Sequence, residues 1–229
     1  MAADQKISRE TEVNFEDQEI KIGFDIDGVI ADYPAPIRKM IDKKIPSFFP
    51  NKKNLRELSS YEIDKLYDFI LGESPCGKEI ISRIYKNRKP NKPMVALMNE
   101  LREQGCEIYL ITGFSDKELA TKWLKKHKIE GYRGLFTRRK GGAMIEHKIE
   151  KIKELGIKLF IDNSKEIIKA LPSEVKGVYY QETKTRHLEE IIKEIRQGVA
   201  ELKNETRNEL RNETRNEFRT SRETRTLNL

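Results

Sequence analysis

The sequence predicts an α/β fold, a Rossmann-like doubly wound sheet, mainly parallel, with a helical cap inserted after the first strand. Three observations carry that expectation. Residues 20–26 read as a fully buried strand, Asp25 and Asp27 sit at its carboxyl end, and from Lys92 onward short apolar runs alternate with amphipathic helical patterns.

Composition narrows the class. The chain has 229 residues, 36% charged and 37% hydrophobic, enough to bury the core of one domain. No apolar run approaches the roughly 18–20 residues of a membrane span. Residues 1–18 are charged and lack the apolar segment of a signal peptide. A cytoplasmic protein with no membrane partner is expected. Net charge is +7, of which residues 203–229 supply seven basic against five acidic side chains. The excess left on the body suits a phosphorylated substrate. No zinc finger, aromatic RNA-binding motif or basic helix supports a nucleic-acid binder. Cys76 and Cys106 show no metal-ligand spacing and read as small buried residues; His127, His147 and His187 form no cluster.

Taken in order, Ile20, Ile22, Phe24 and Ile26 suit a central strand covered on both faces. Gly28 ends it. Asp25 and Asp27 then lie where open α/β sheets bind ligands. Two acids this close repel unless a cation or a shared proton relieves them, and hard oxygen ligands favour Mg²⁺. A plain polar turn would use the same residue types. Residues 33–92 change character: prolines at 34, 36, 46 and 50 are followed by Leu55, Leu58, Tyr61, Leu66, Phe69 and Ile70 at helical spacing, then by Ile80, Ile81 and Ile84. That is the expected cap over the mouth of the sheet.

Pro93 opens a helix carrying Val95, Leu97, Met98 and Leu101, closed by Gly105. Residues 106–111 form a buried strand ending in Thr112-Gly113. Ser115 and Glu118 form a capping-box pattern for a helix that buries Leu119, Trp123 and Leu124. A short strand around Leu135 and Phe136 precedes the basic turn Arg138-Arg139-Lys140, which reads as solvated, with contact to an acidic substrate as the lesser alternative. A helix over 145–155 ends at Gly156, and residues 157–161 form a strand ending in Asp162-Asn163. Ser164 caps the next helix and Pro172 ends it. Residues 178–180 read as an edge strand, and Leu188, Ile191, Ile192, Ile195 and Val199 mark a last amphipathic helix. The tail repeats NETRNELR at 204–211 as NETRNEFR at 212–219. Its apolar positions drift by about 80° per copy at 3.6 residues per turn, so it is expected as a solvated helix or a disordered segment, with self-association a lesser alternative. The division is therefore a charged lead (1–18), a core (19–32 and 93–202), a cap (33–92) and a tail (203–229).

Three predicted strands end in polar residues, and Lys148 lies fourteen residues before Asp162. In this arrangement the sequence resembles the haloacid-dehalogenase-like (HAD) superfamily of phosphohydrolases over about residues 20–180. The resemblance rests on D-I-D-G-V at 25–29, L-I-T-G at 110–113, Lys148, and F-I-D-N at 160–163, in the family's order. The opening I-D-G-V-I-A-D-Y at 26–33 is most like the 5'(3')-deoxyribonucleotidase-type branch. The resemblance implies that Asp25 is the nucleophile and Asp27 the general acid and base. It implies that Mg²⁺ is held by Asp25, the Asp27 carbonyl and Asp162. Thr112, Gly113 and Lys148 would bind phosphate oxygens, with Lys151 and Lys153 as rivals to Lys148. Many relatives carry a second acid where this chain has Asn163, so Asn163 and Glu166 are candidates for supporting the metal from behind. The implied function is a phosphatase of a small phosphate monoester, a nucleoside monophosphate foremost and a sugar phosphate or other metabolite as the alternative. A dehalogenase has no leaving oxygen for Asp27 to protonate. A non-catalytic binding protein is the remaining class, and oligomeric state is not legible.

Overall fold

The computed structural model describes residues 19–32, 85–139, 142–181 and 187–226, with Pro46, residues 50–52 and Glu62 besides. The charged lead, Cys76 and nearly all of the expected cap lie outside the described residues. Five strands form one sheet: β1 (Lys21–Phe24), β2 (Glu107–Thr112), β3 (Gly134–Thr137), β4 (Leu159–Asp162) and β5 (Lys176–Tyr179). Their order is β3-β2-β1-β4-β5 and every pairing is parallel. The strand carrying the paired acids is thus central, as its unbroken apolar run demands.

Between them run α1 (Lys92–Glu103), α2 (Lys117–Lys126), α3 (Met144–Leu155), α4 (Lys165–Ala170) and α5 (Leu188–Thr226). Alternate strand residues feed two cores. Ile22, Phe24, Ile108, Leu110, Leu159 and Ile161 join Met94, Leu101, Trp123, Ile191 and Val199 from α1, α2 and α5 on one face. Ile111 and Phe160 join Ile152 of α3 and Ile167 of α4 on the other. This period-2 partition is the doubly wound α/β architecture the sequence predicts. Gly23 has a packing reason: a Cβ there would lie 2.6 Å from the Phe160 ring.

Local details differ in two places. Asp116, not Ser115, caps α2, its carboxylate accepting the Leu119 N–H at 2.9 Å. The acid one residue later offers a charged acceptor at the helix N-terminus, which outcompetes the hydroxyl. Arg138 is not solvated: it is buried, donating Nε to the Gly113 carbonyl at 2.9 Å and Nη1 to that of Gly142 at 2.6 Å. The turn is organised by that guanidinium. Past Lys203, whose Nζ donates to the Gln104 carbonyl, α5 continues through both tail repeats, and its described side chains there are mostly exposed.

The described segments on either side of residues 33–84 are joined in a neck. Asp32 N–H donates to the Lys89 carbonyl at 2.9 Å and Asn91 N–H to that of Ile30 at 2.7 Å, with an antiparallel bridge between Ala31 and Pro90. The Asn91 amide nitrogen also donates to the Val29 carbonyl at 3.0 Å and to the Tyr180 hydroxyl at 2.6 Å. The segment leaving the core and the one returning are therefore zipped side by side.

Leu101 is fully buried, so Leu101→Ala is expected to cost about 2–5 kcal/mol. Leu210→Ala on the projecting helix should stay within about 0.5 kcal/mol. Urea unfolding of both variants measures the contrast.

Candidate active site

The site forms at the carboxyl ends of β1, β2 and β4. The Asp25 N–H donates to the Ile161 carbonyl at 2.9 Å, prolonging the ladder between β1 and β4 and fixing where the Asp25 side chain starts. Lys148 reaches in from α3. Its Nζ lies 2.8 Å from Asp25 Oδ1 and 2.6 Å from Asp162 Oδ2, and all three side chains are at least 96% buried. Asp25 and Asp162, 137 positions apart in sequence, thus meet around one ammonium. Asp162 Oδ1 accepts the Ser164 N–H at 2.8 Å, which orients the second carboxylate from behind.

Burial is the largest influence on Asp25 and pushes its carboxyl up. Lys148 pulls it down, Asp162 and Asp27 push it up again, and it rests at about 8. Burial alone would lower Lys148, but Asp162 and Asp25 outweigh it and hold the ammonium above its ordinary value.

Asp27 is held differently. Its Oδ1 accepts from the Tyr85 hydroxyl at 2.9 Å and from Arg88 Nη1 at 2.5 Å. Its Oδ2 accepts from the Thr112 hydroxyl at 2.5 Å, while the Phe114 N–H donates to Thr112 Oγ1 at 3.1 Å. Burial again acts to raise the carboxyl. Here Arg88 first, then the hydrogen bonds from Thr112, Arg88 and Tyr85, prevail and hold it below its ordinary value. Gly28, at φ +88°, makes the tight turn directly after it, in a conformation that disfavours a side chain.

The structure brings Asp25, Asp27, Thr112, Lys148 and Asp162 together, with Gly113 following Thr112 at the same edge. The Thr112 hydroxyl is engaged by Asp27, and the Gly113 carbonyl is held by Arg138. Asn163 is half-buried beside Asp162. Glu166 is exposed, its carboxylate accepting from the Ser164 hydroxyl at 2.9 Å. Tyr85 and Arg88 are functional-site neighbours that the sequence reading did not single out, and Arg138 is one that it placed in a solvated turn. The cue for the first two was positional: they fall in Y-K-N-R-K-P at 85–90, where the insertion returns to the core.

A divalent cation fits the donor set. Among the described residues no three His, Cys, Asp or Glu side chains are grouped as a metal cage. Mg²⁺, however, is commonly held by one or two carboxylates with waters and substrate phosphate completing its shell. Asp25 Oδ1 is buried and lacks a directed hydrogen bond, and Asp162 keeps lone pairs beyond those facing Lys148 and Ser164. All the available donors are hard oxygens.

No protein-family model and no curated protein matches the chain. Solved structures do. A haloacid dehalogenase-like hydrolase from Bacteroides fragilis is 13% identical, with 76% of this chain and 92% of that one superposed at a TM-score of 0.50. A HAD-superfamily hydrolase of subfamily IA from Geobacter sulfurreducens is 13% identical over 71% of this chain and 87% of that one, TM-score 0.43. A HAD family enzyme from Bacteroides thetaiotaomicron, crystallised with magnesium and inorganic phosphate, is 15% identical over 74% and 97%, TM-score 0.42. The likeness to the Bacteroides fragilis structure establishes the fold alone, the α/β fold of haloacid dehalogenase-like hydrolases.

Two outcomes are expected of this geometry. Lys148→Met removes the one cation between two buried carboxylates and should cost about 3–5 kcal/mol in urea unfolding at neutral pH. The second concerns pH. Between about pH 4, where an unfolded aspartate ionises, and about 8 the folded Asp25 carboxyl keeps a proton that the unfolded chain has lost. Stability therefore falls as pH rises through that window. Mg²⁺ competes with the same proton, so the thermal shift it gives EDTA-treated protein should grow from about pH 5 to about pH 8. An equal shift at both ends would contradict the assignment of Asp25 as a ligand.

Proposed function

We propose that the protein is a Mg²⁺-dependent phosphatase of small phosphate monoesters, acting through an aspartyl-phosphate on Asp25. The observation that carries this reading is the buried Asp25 carboxylate at the end of the central strand, sharing the Lys148 ammonium with Asp162. Hydrolysis of phosphate monoesters is among the slowest uncatalysed reactions, and its catalysis consists of alignment and charge neutralisation. A parallel sheet edge with two buried cations and three acids supplies both.

In the proposed first half, an Asp25 oxygen bonds to phosphorus while the bond from phosphorus to the leaving oxygen breaks. Asp27 supplies the proton that the leaving oxygen takes. In the second half Asp27, as carboxylate, accepts a proton from water. The water oxygen bonds to phosphorus, the bond to Asp25 breaks, and phosphate leaves. Lys148 holds Asp25 and Asp162 in place and faces the charge that develops on the phosphoryl oxygens. Gly113 offers its main-chain N–H to those oxygens, and the Thr112 hydroxyl joins it only when released from Asp27. Mg²⁺, held by Asp25, Asp162 and the Asp27 carbonyl, would supply electrostatic stabilisation of the phosphoryl group.

A nucleoside monophosphate is the proposed substrate, supported by the I-D-G-V-I-A-D-Y opening at 26–33. Fold does not select substrate. A panel of nucleoside 5'- and 3'-monophosphates and sugar phosphates, assayed with Mg²⁺ and with EDTA, tests both levels. Phosphate release is expected to be strongest on nucleoside monophosphates, to vanish with EDTA, and to fall at least about 10³-fold in Asp25→Asn. Better turnover of sugar phosphates would remove the nucleotide assignment and leave the phosphatase one standing. No turnover of any monoester would remove both.

A further inference from the structure

Arg88 is a charged side chain, 98% buried, that the phosphatase chemistry above does not require. It lies at the end of the segment returning to the core. Trp123 of α2 anchors it from below, donating Nε1 to the Arg88 carbonyl at 3.1 Å, and the Trp123 ring sits 5.9 Å from the guanidinium. The Tyr85 ring is 4.7 Å from the guanidinium on another side and stacks on Phe114 with centroids 4.1 Å apart. Among the side-chain polar contacts of Arg88 to described residues, the one to Asp27 is the short one. Nη1 reaches Oδ1 at 2.5 Å, whereas Nε and Nη2 meet the Asp32 and Ala31 carbonyls only at 3.3 Å. A residue placed merely to brace the turn would favour those carbonyls.

Every polar partner of Asp27 in this cluster is a donor. Tyr85 and Arg88 address one oxygen and Thr112 the other. Three donors spread over both oxygens fix the plane of a carboxylate and present it as an acceptor. Two of the three come from the returning segment, four and seven residues before the first residue of α1.

Resting on the phosphatase reading, we propose that Arg88, with Tyr85, is a positioning residue that fixes the Asp27 carboxylate to accept the proton of the attacking water. Its effect falls on hydrolysis of the aspartyl-phosphate rather than on its formation. With an aryl phosphate the leaving oxygen departs as a stable anion and needs no acid, so the two halves separate experimentally.

The test is pre-steady-state turnover of p-nitrophenyl phosphate with Mg²⁺ by the full chain and by Arg88→Met. The variant should lose about tenfold or more in kcat while kcat/KM stays within about threefold. It should also release a burst of p-nitrophenol and accumulate phosphorylated chain, visible by mass spectrometry. Arg88→Lys, which keeps the charge without the planar fork, should recover part of kcat. Should Arg88→Met fail to fold, Tyr85→Phe deletes one donor and keeps the ring stacked on Phe114. Its kcat should fall about two- to fivefold at unchanged kcat/KM. Parallel loss of kcat and kcat/KM with no burst, in Arg88→Lys or Tyr85→Phe, would overturn the positioning role and leave the phosphatase reading intact. An unsubstituted chain that turns over no monoester would overturn both.

Discussion

The Lys148 ammonium, within 3 Å of two carboxylates that are themselves out of water, is the contact on which the rest of the site depends. A lone lysine or a lone aspartate at that depth would neutralise itself rather than pay several kcal/mol of desolvation. The two carboxylates hold the Lys148 ammonium in its charged form, so none of the three can be placed independently. That mutual requirement fixes geometry. Asp25 must leave β1 and Asp162 must leave β4 at the same level, which the pairing of Phe24 with Ile161 enforces. α3 must deliver Lys148 over the same edge, and its burial of Ile152 against Phe160 sets that height.

The second acid obeys another logic. Asp27 is two residues beyond Asp25, past the end of the strand, and belongs electrostatically to the neck of the insertion. Arg88 lies 2.5 Å from it, whereas Lys148 serves Asp25 and Asp162. The two carboxylates of one short motif are therefore driven in opposite directions, one up and one down. Without a cation the split runs against the proposed chemistry, since an attacking carboxylate must be ionised and a proton donor must hold its proton.

Much of this was legible in the chain. The run Ile20 to Ile26 predicts a central strand, and it is central; Gly105, Gly156 and Ser164 mark helix ends where they occur. Strand ends carry polar residues that solvent exposure does not explain, so Asp25, Thr112 and Asp162 could be singled out by local pattern. Arg88 could not. It sits in a stretch of lysines that reads as a solvated face, and its burial depends on Trp123 and Tyr85 closing around it from distant positions. Arg138 was misread for the same reason: a basic turn looks solvated until its carbonyl partners are known. Periodicity reports the neighbours along the chain, and these residues are defined by neighbours across it.

The charges close the argument. Asp25, Asp27 and Asp162 face Lys148 and Arg88, which leaves one negative charge in a buried cluster when all five are ionised. A phosphate monoester dianion entering that field would be repelled. Placing a divalent cation beside Asp25 and Asp162 reverses the balance to one positive charge, which attracts the dianion and lowers the Asp25 carboxyl toward its ionised, attacking form. Proton, metal and substrate thus compete for or reinforce the same oxygens. The raised Asp25 carboxyl, near 8, is then the group whose proton the proposed Mg²⁺ would displace.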